Sequence, residues 1–242
     1  MTSLSINLNK IALLRNSRGR DYPNVVAYAQ KFIALGANGI TTHPRQDERH
    51  AKRQDAYELG KLCAQMPEIE LNIEGYPSED FLEMVEEVQP DQCTLVPDDV
   101  NQLTSDHGWD IANSIDLLGP VLKRLSTARV RSALFVDPNP AMAEQASAVG
   151  ADRIELYTEG YANVFNTESE NEVIERYRET AIRAQELGVG VNAGHDLDLR
   201  NLGKFLEIDN ILEVSIGHAL TIECIDQGME RVVKQYVSIC NT

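Results

Sequence analysis

No apolar run in the 242 residues approaches the roughly 20 needed to span a bilayer, so a membrane-spanning helix is excluded. Cysteine is sparse. Cys63, Cys93, Cys224 and Cys240 are widely scattered and form no C-x-x-C pair, which removes the usual signature of a structural zinc or a thioredoxin-like redox centre. Reduced thiols in a cytoplasmic protein are the expectation. Met1 to Lys10 has no basic segment leading into a long apolar one, so secretion is not expected. Positive charge is scarce as well: 22 Lys and Arg stand against 38 Asp and Glu, a net charge of −16. Such a surface repels nucleic acid and anionic membranes, and neither is expected as a partner. There is no Gly-rich dinucleotide fingerprint after the first strand pattern and no G-x-S-x-G elbow, so neither a Rossmann dehydrogenase nor a Ser-His-Asp hydrolase is indicated. His43 and His50 lie seven apart across a loop, which is substrate-contact spacing and not a metal signature; no metal and no cofactor are expected.

What is present is a globular composition, 43% hydrophobic and 25% charged, with a repeating order of short strands and helices. Alternation or short apolar runs place strands at Leu4 to Leu8, Gly39 to Thr42, Glu70 to Ile73, Gln92 to Val96, Ser132 to Val136, Arg153 to Leu156, Gly190 to Asn192 and Ile211 to Ser215. Helical patterns cover Val25 to Leu35, Arg53 to Ala64, Ser78 to Val88, Asp110 to Ser126, Pro140 to Val149, Glu170 to Leu187 and Thr221 to Ile239. Gly36, Gly150 and Gly188 each close a helix and feed a strand, as a residue that tolerates the left-handed conformation does. Eight strands alternating with helices, without a Gly-, Ser- or Pro-rich linker, predict a single domain over residues 1–242. The expected architecture is an α/β fold, a closed (β/α)8 TIM barrel with additional helices, in preference to an open doubly wound sheet.

Such barrels carry their chemistry at the C-terminal ends of the strands. Those ends supply Asn7 and Asn9, His43 and Arg45, Glu74, Thr104 and Ser105, Glu155, His195 and His218, while the fifth strand offers only Asp137. Two strands in succession exit into Gly-His, at Gly194-His195 and Gly217-His218, where a small backbone lets a phosphate approach N–H groups. Two basic islands follow strand-like segments against the acidic background: Lys10, Arg15, Arg18 and Arg20, and then Arg45, Arg49, Lys52 and Arg53. Imidazoles, carboxylates and guanidinium groups converging on one rim point to acid–base chemistry on a small phosphorylated or carboxylated molecule. A lone His43 is as easily a structural histidine and Glu74 as easily a loop cap; the set, not the single residue, carries the reading.

Four segments carry a more specific signal. Asn7 to Gly19, Gly39 to His50 (Gly-Ile-Thr-Thr-His-Pro-Arg-Gln-Asp-Glu-Arg-His), Val191 to His195 and Ile216 to Ala219 resemble the pyridoxine 5′-phosphate synthase family, and the similarity runs from about Leu4 to the last helix. The resemblance implies a (β/α)8 barrel, a homo-octamer, and condensation of 1-deoxy-D-xylulose 5-phosphate with 3-amino-2-oxopropyl phosphate to pyridoxine 5′-phosphate, phosphate and water. It implies His43 as proton acceptor, Glu74 as a second acid–base group, His195 as proton donor and Glu155 as a charge stabiliser. Asn7 with Gly194, Gly217 and His218 would hold the aminoketone phosphate; Arg18, Arg45, His50 and Thr104, with Asn9 and Lys10, would hold the sugar phosphate. Two places depart from the family pattern. Asn9-Lys10 stands where Asp-His is usual, and Tyr157 and Glu159 stand where His and Gly are usual. The loop Pro97 to His107 is long enough to act as a lid. Two other readings stay open: a related barrel acting on a different phosphorylated ketone, and a barrel that binds a phosphorylated metabolite without turning it over.

Overall fold

A computed structural model describes residues 1–98 and 105–242. Eight parallel strands close into a barrel in chain order: β1 (Ser3–Asn7), β2 (Gly39–Thr42), β3 (Glu70–Gly75), β4 (Gln92–Leu95), β5 (Arg131–Val136), β6 (Arg153–Tyr157), β7 (Gly190–Gly194) and β8 (Ile211–Ile216), with β8 pairing back onto β1. The sequence expectation of a (β/α)8 barrel holds, with strand limits displaced by one or two residues. Helices α1 (Asn9–Asn16), α2 (Val25–Ala34), α3 (Arg53–Cys63), α4 (Glu79–Val88), α5 (Ile115–Thr127), α6 (Pro140–Val149), α7 (Glu159–Val164), α8 (Glu170–Glu186), α9 (Leu202–Phe205), α10 (His218–Gln227) and α11 (Met229–Cys240) accompany them.

Local chemistry explains the boundaries. Asn24, Ser78 and Asn139 accept backbone N–H groups at the starts of α2, α4 and α6, and Pro140 occupies a first-turn position whose N–H would have no helical partner. Gly36, Gly150 and Gly188 all take positive φ, 107°, 85° and 75°, as their place between helix and strand required. Three differences from the sequence pattern have physical causes. Thr221 to Ile239 is two helices, because Gly228 at φ 90° breaks the path between α10 and α11. The helix expected from Asp110 starts at Ile115; Asp110 instead bonds Asn113 in a turn. The short helices α1, α7 and α9 lay below the length at which periodicity is legible.

The two faces of each strand have opposite characters. Leu4, Ile6, Ile40, Leu71, Ile73, Leu134, Ile154, Leu156, Val191, Val214 and Ile216 are buried beneath the helices and form one continuous apolar layer. The alternate positions point into the barrel and are mostly polar: Ser5, Thr41, Asn72, Gln92, Thr94, Glu155, Asn192, Glu213 and Ser215 are all buried. Bonds that cross the lumen prove the direction. Gln92 on β4 accepts from Asn192 on β7 at 3.2 Å and donates to Glu213 on β8 at 3.3 Å, although β4 is hydrogen-bonded to neither strand. Arg131 closes this floor by bonding Gln92 at 3.0 Å and Glu70, while Arg153 reaches Asn192 at 3.0 Å.

Candidate active site at the C-terminal rim

Four residues at the opposite end of the barrel form a closed circuit. Asn7, at the exit of β1, accepts the backbone N–H of Asn9 at 3.0 Å and donates its amide to Glu74 Oε2 at 3.3 Å. Glu74, near the end of β3, lies 3.8 Å from Nδ1 of His43. Asn9 completes the ring by accepting the backbone N–H of His43 at 2.9 Å. The side chain of Asn9 is therefore a brace for His43 in addition to lining the rim. His50 stands next to His43, ring centroids 5.9 Å apart, with its Nδ1 accepting the N–H of Ala51 at 2.8 Å. That bond leaves Nε2 as the ring donor of a neutral His50.

Burial sets the charges. Glu74 is pushed up to about 8, chiefly by desolvation, then by the nearby Asp98 and Glu213 carboxylates. His43 is held well below the ordinary histidine range by desolvation and then by Arg45. The resting pair is thus a neutral imidazole beside a protonated carboxyl group. Glu155 on β6 is also raised, by desolvation and then by Glu74, and its Oε2 is buried without a hydrogen-bond partner among the described residues. His195 and His50 are each lowered to about 4, primarily by burial.

The Gly-His exits are built for close approach. A Cβ on Gly194 would fall 2.3 Å from Glu155 Oε1, and one on Gly217 2.9 Å from the Asn7 Cβ, so a side chain at either position would force Glu155 or Asn7 to shift. His195 and Asp196 both sit at positive φ, 76° and 55°, a strained pair for residues with side chains. Thr158 holds this turn by hydrogen bonds to the carbonyls of Gly194 and His195. Gly217 precedes α10, whose first residue is the exposed His218.

The remaining predicted site residues divide. Arg45 is buried at the rim and ion-paired with Asp98, which also accepts from Ser105 at 2.8 Å. Lys10 is half-buried on α1 and acts electrostatically on both His50 and His195. Arg18 is in an exposed turn after α1. Thr104 lies outside the described residues, as does most of the lid expected at Pro97 to His107. Asp98 was missed by sequence reasoning: its pairing with Arg45 spans 53 positions and leaves no local pattern. Arg15, counted in a basic island, is a structural tie, clamping Asp55 of α3 with its two terminal guanidinium nitrogens.

Residues 4–242 match the model of a family described as the pyridoxal phosphate biosynthesis protein PdxJ. The chain belongs to the PdxJ family. A pyridoxine 5′-phosphate synthase of Bacteroides thetaiotaomicron is 48% identical over 237 residues, 98% of each chain, and one of Christiangramia forsetii is 48% identical over 240 residues, 99% of each. A solved structure from Aquifex aeolicus superposes with a TM-score of 0.67 over 99% of this chain and 93% of its own at 12% identity, a likeness of fold alone. Within the PdxJ chain, the rim circuit, the two Gly-His exits and the buried Arg45 all gather at the C-terminal mouth of one barrel. No helix of the described residues is long and apolar enough to cross a membrane.

Proposed function

We propose that this chain is a pyridoxine 5′-phosphate synthase that condenses 1-deoxy-D-xylulose 5-phosphate with 3-amino-2-oxopropyl phosphate, releasing phosphate and water as the pyridine ring closes. Joining C–N and C–C bonds with loss of water demands that oxygens be protonated and carbons deprotonated in turn. The observation that carries the reading is the His43–Glu74 pair, a neutral base 3.8 Å from a carboxyl group that still holds its proton near neutral pH. His43 takes a proton from substrate; the imidazolium so formed favours ionisation of Glu74, which returns a proton to a departing oxygen. Glu155, kept neutral by its surroundings, serves as a hydrogen-bond donor to developing negative charge from beneath Gly194. His195 delivers a proton from the opposite side of the mouth.

The aminoketone phosphate sits at Gly194, Gly217 and the first turn of α10 with His218 and Asn7, where free N–H groups and the helix dipole favour an anion. The sugar phosphate sits against Arg45, His50, Lys10 and Thr104, with Asn9 alongside. Its arrival displaces Asp98 from Arg45, exchanging one anion for another. Arg18, exposed in the single chain, joins this site only if an oligomer brings it to a rim; the homo-octamer of the family resemblance would do so. The reading takes residues 1–242 as one barrel domain in the cytoplasm. Incubation of the purified protein with both substrates tests it: phosphate and a fluorescent pyridine should form together in wild type and not in His43→Ala. Inertness toward deoxyxylulose phosphate, with turnover of another ketose phosphate, would favour the altered specificity that Lys10 suggests.

A further inference from the structure

His195 is flanked by an aromatic wall that its proton chemistry does not by itself explain. Phe135 of β5, Tyr157 of β6 and the imidazole form a triangle with centroids 5.1 to 5.3 Å apart, and the Tyr157 ring meets His195 edge to face at 87°. Tyr157 is 8% exposed, so its hydroxyl needs a partner, and it donates to Glu159 Oε2 at the start of α7. The same wall is tied down from behind, because the Tyr177 hydroxyl of α8 donates to the Tyr157 carbonyl at 2.7 Å. Glu159 is thereby fixed on the His195 side of the mouth.

The charges facing His195 make that carboxylate significant. Arg45 after β2 and Lys10 on α1 both oppose a positive charge on the imidazole, and Glu159 favours one. His43 lies across the mouth and is itself opposed by a charged His195. Glu155 lies beneath Gly194 and is neutral, the Phe135 face is apolar, and Asp196, in the same loop, is itself influenced by Glu159, His218 and Lys10. Glu159 is thus the carboxylate set against two cations at His195.

We propose that Tyr157 and Glu159 act as positioning residues for His195: the ring wall fixes the imidazole, and the tethered carboxylate supplies the negative charge that lets it carry a proton while it faces the substrates. The proposal rests on the synthase reading for the use to which that proton is put, but not for the coupling itself. Binding of the sugar phosphate offsets Lys10 and Arg45, the two cations that oppose a charge on His195, and leaves the Glu159 contribution uncancelled. The donor is armed when the substrates are in place.

Two readouts separate the coupling from the reaction. The first is the His195 imidazole resonance followed from about pH 3 to 8 in inorganic phosphate, a range that brackets its lowered pKa of about 4, and assigned with His195→Gln. In Glu159→Gln the protonation curve should move to lower pH by roughly half a unit or more, and Glu159→Asp should restore part of the shift. Tyr157→Phe should give a smaller displacement with a broadened resonance. The second is the pH profile of pyridine formation. Glu159→Gln should lower kcat roughly 10-fold, with KM changed less than about twofold, and move the high-pH limb of kcat toward acid. Superimposable His195 curves in wild type and Glu159→Gln, with both proteins folded, overturn the proposal. A shifted curve in a protein that makes no pyridine supports the coupling and overturns the synthase reading instead.

Discussion

The floor and the rim of this barrel are made from the same kinds of residue and do opposite things with them. At the floor, Glu70, Gln92, Arg131, Arg153, Asn192 and Glu213 bond one another across the lumen, and the Asn72 amide nitrogen beside Gln92 is the exception, with no partner among the described residues. At the rim, Glu155 Oε2 has no partner among the described residues, His43 and Glu74 stand 3.8 Å apart instead of at hydrogen-bond distance, and two residues with side chains hold positive φ. A buried polar network that is fully paired confers rigidity, while one left open has hydrogen-bonding capacity for something else. Perturbed protonation does not by itself separate the two ends. Glu213 at the floor is pushed up to about 7, largely by burial, yet it is enclosed by Gln92 and Arg153. Geometry separates them: the rim groups face the mouth, and the floor groups face each other.

Substitutions at the two ends should therefore fail in different ways. The largest effect is expected for His43→Ala, which should lower turnover by roughly 10²- to 10⁴-fold while the melting temperature hardly moves; parallel assays of phosphate release and thermal unfolding check it. Gln92→Leu should do the reverse. It removes the partner of Arg131, Asn192 and Glu213 and should cost roughly 2–4 kcal/mol of stability, with turnover per folded molecule little changed. Equal loss of activity in the two variants would erase the distinction between the ends.

A subtler test is pH. In wild type the unfolded chain ionises Glu213 near the ordinary carboxylate value and the folded chain only near 7. The folded state therefore binds the extra proton between those values, and its stability falls as pH rises through that window. Glu213→Gln removes the penalty, so its stability relative to wild type should improve by roughly 1–3 kcal/mol between pH 5 and 8, read from denaturant melts at each pH. The smallest effects belong to Asn9. Asn9→Asp keeps an acceptor for the His43 N–H and should leave turnover within roughly threefold, whereas Asn9→Ala orphans that N–H and should cost roughly 5- to 30-fold.

The sequence carried the barrel because strand spacing, the left-handed glycines and the apolar alternates are local signals. It carried His43, Glu74, Glu155 and His195 as strand exits for the same reason. What it could not carry were relations across the fold. Asp98 on Arg45, Asn9 on His43, Tyr157 with Glu159 beside His195, and the mutual satisfaction of Gln92 and Glu213 join residues whose partners are set by barrel closure. Arg15 illustrates the converse: a basic residue in a suggestive island is consumed by Asp55. Periodicity marks which face a residue is on; it does not say what waits opposite.

The proton on Glu74 is the most direct point of attack. Infrared difference titration of wild type against Glu74→Gln isolates its carboxyl band. That band should persist at neutral pH and disappear as pH rises through about 8, well above the carboxylates of the exposed surface. A Glu74 that has already lost its proton by pH 6 would contradict a rim that stores a proton beside a neutral His43.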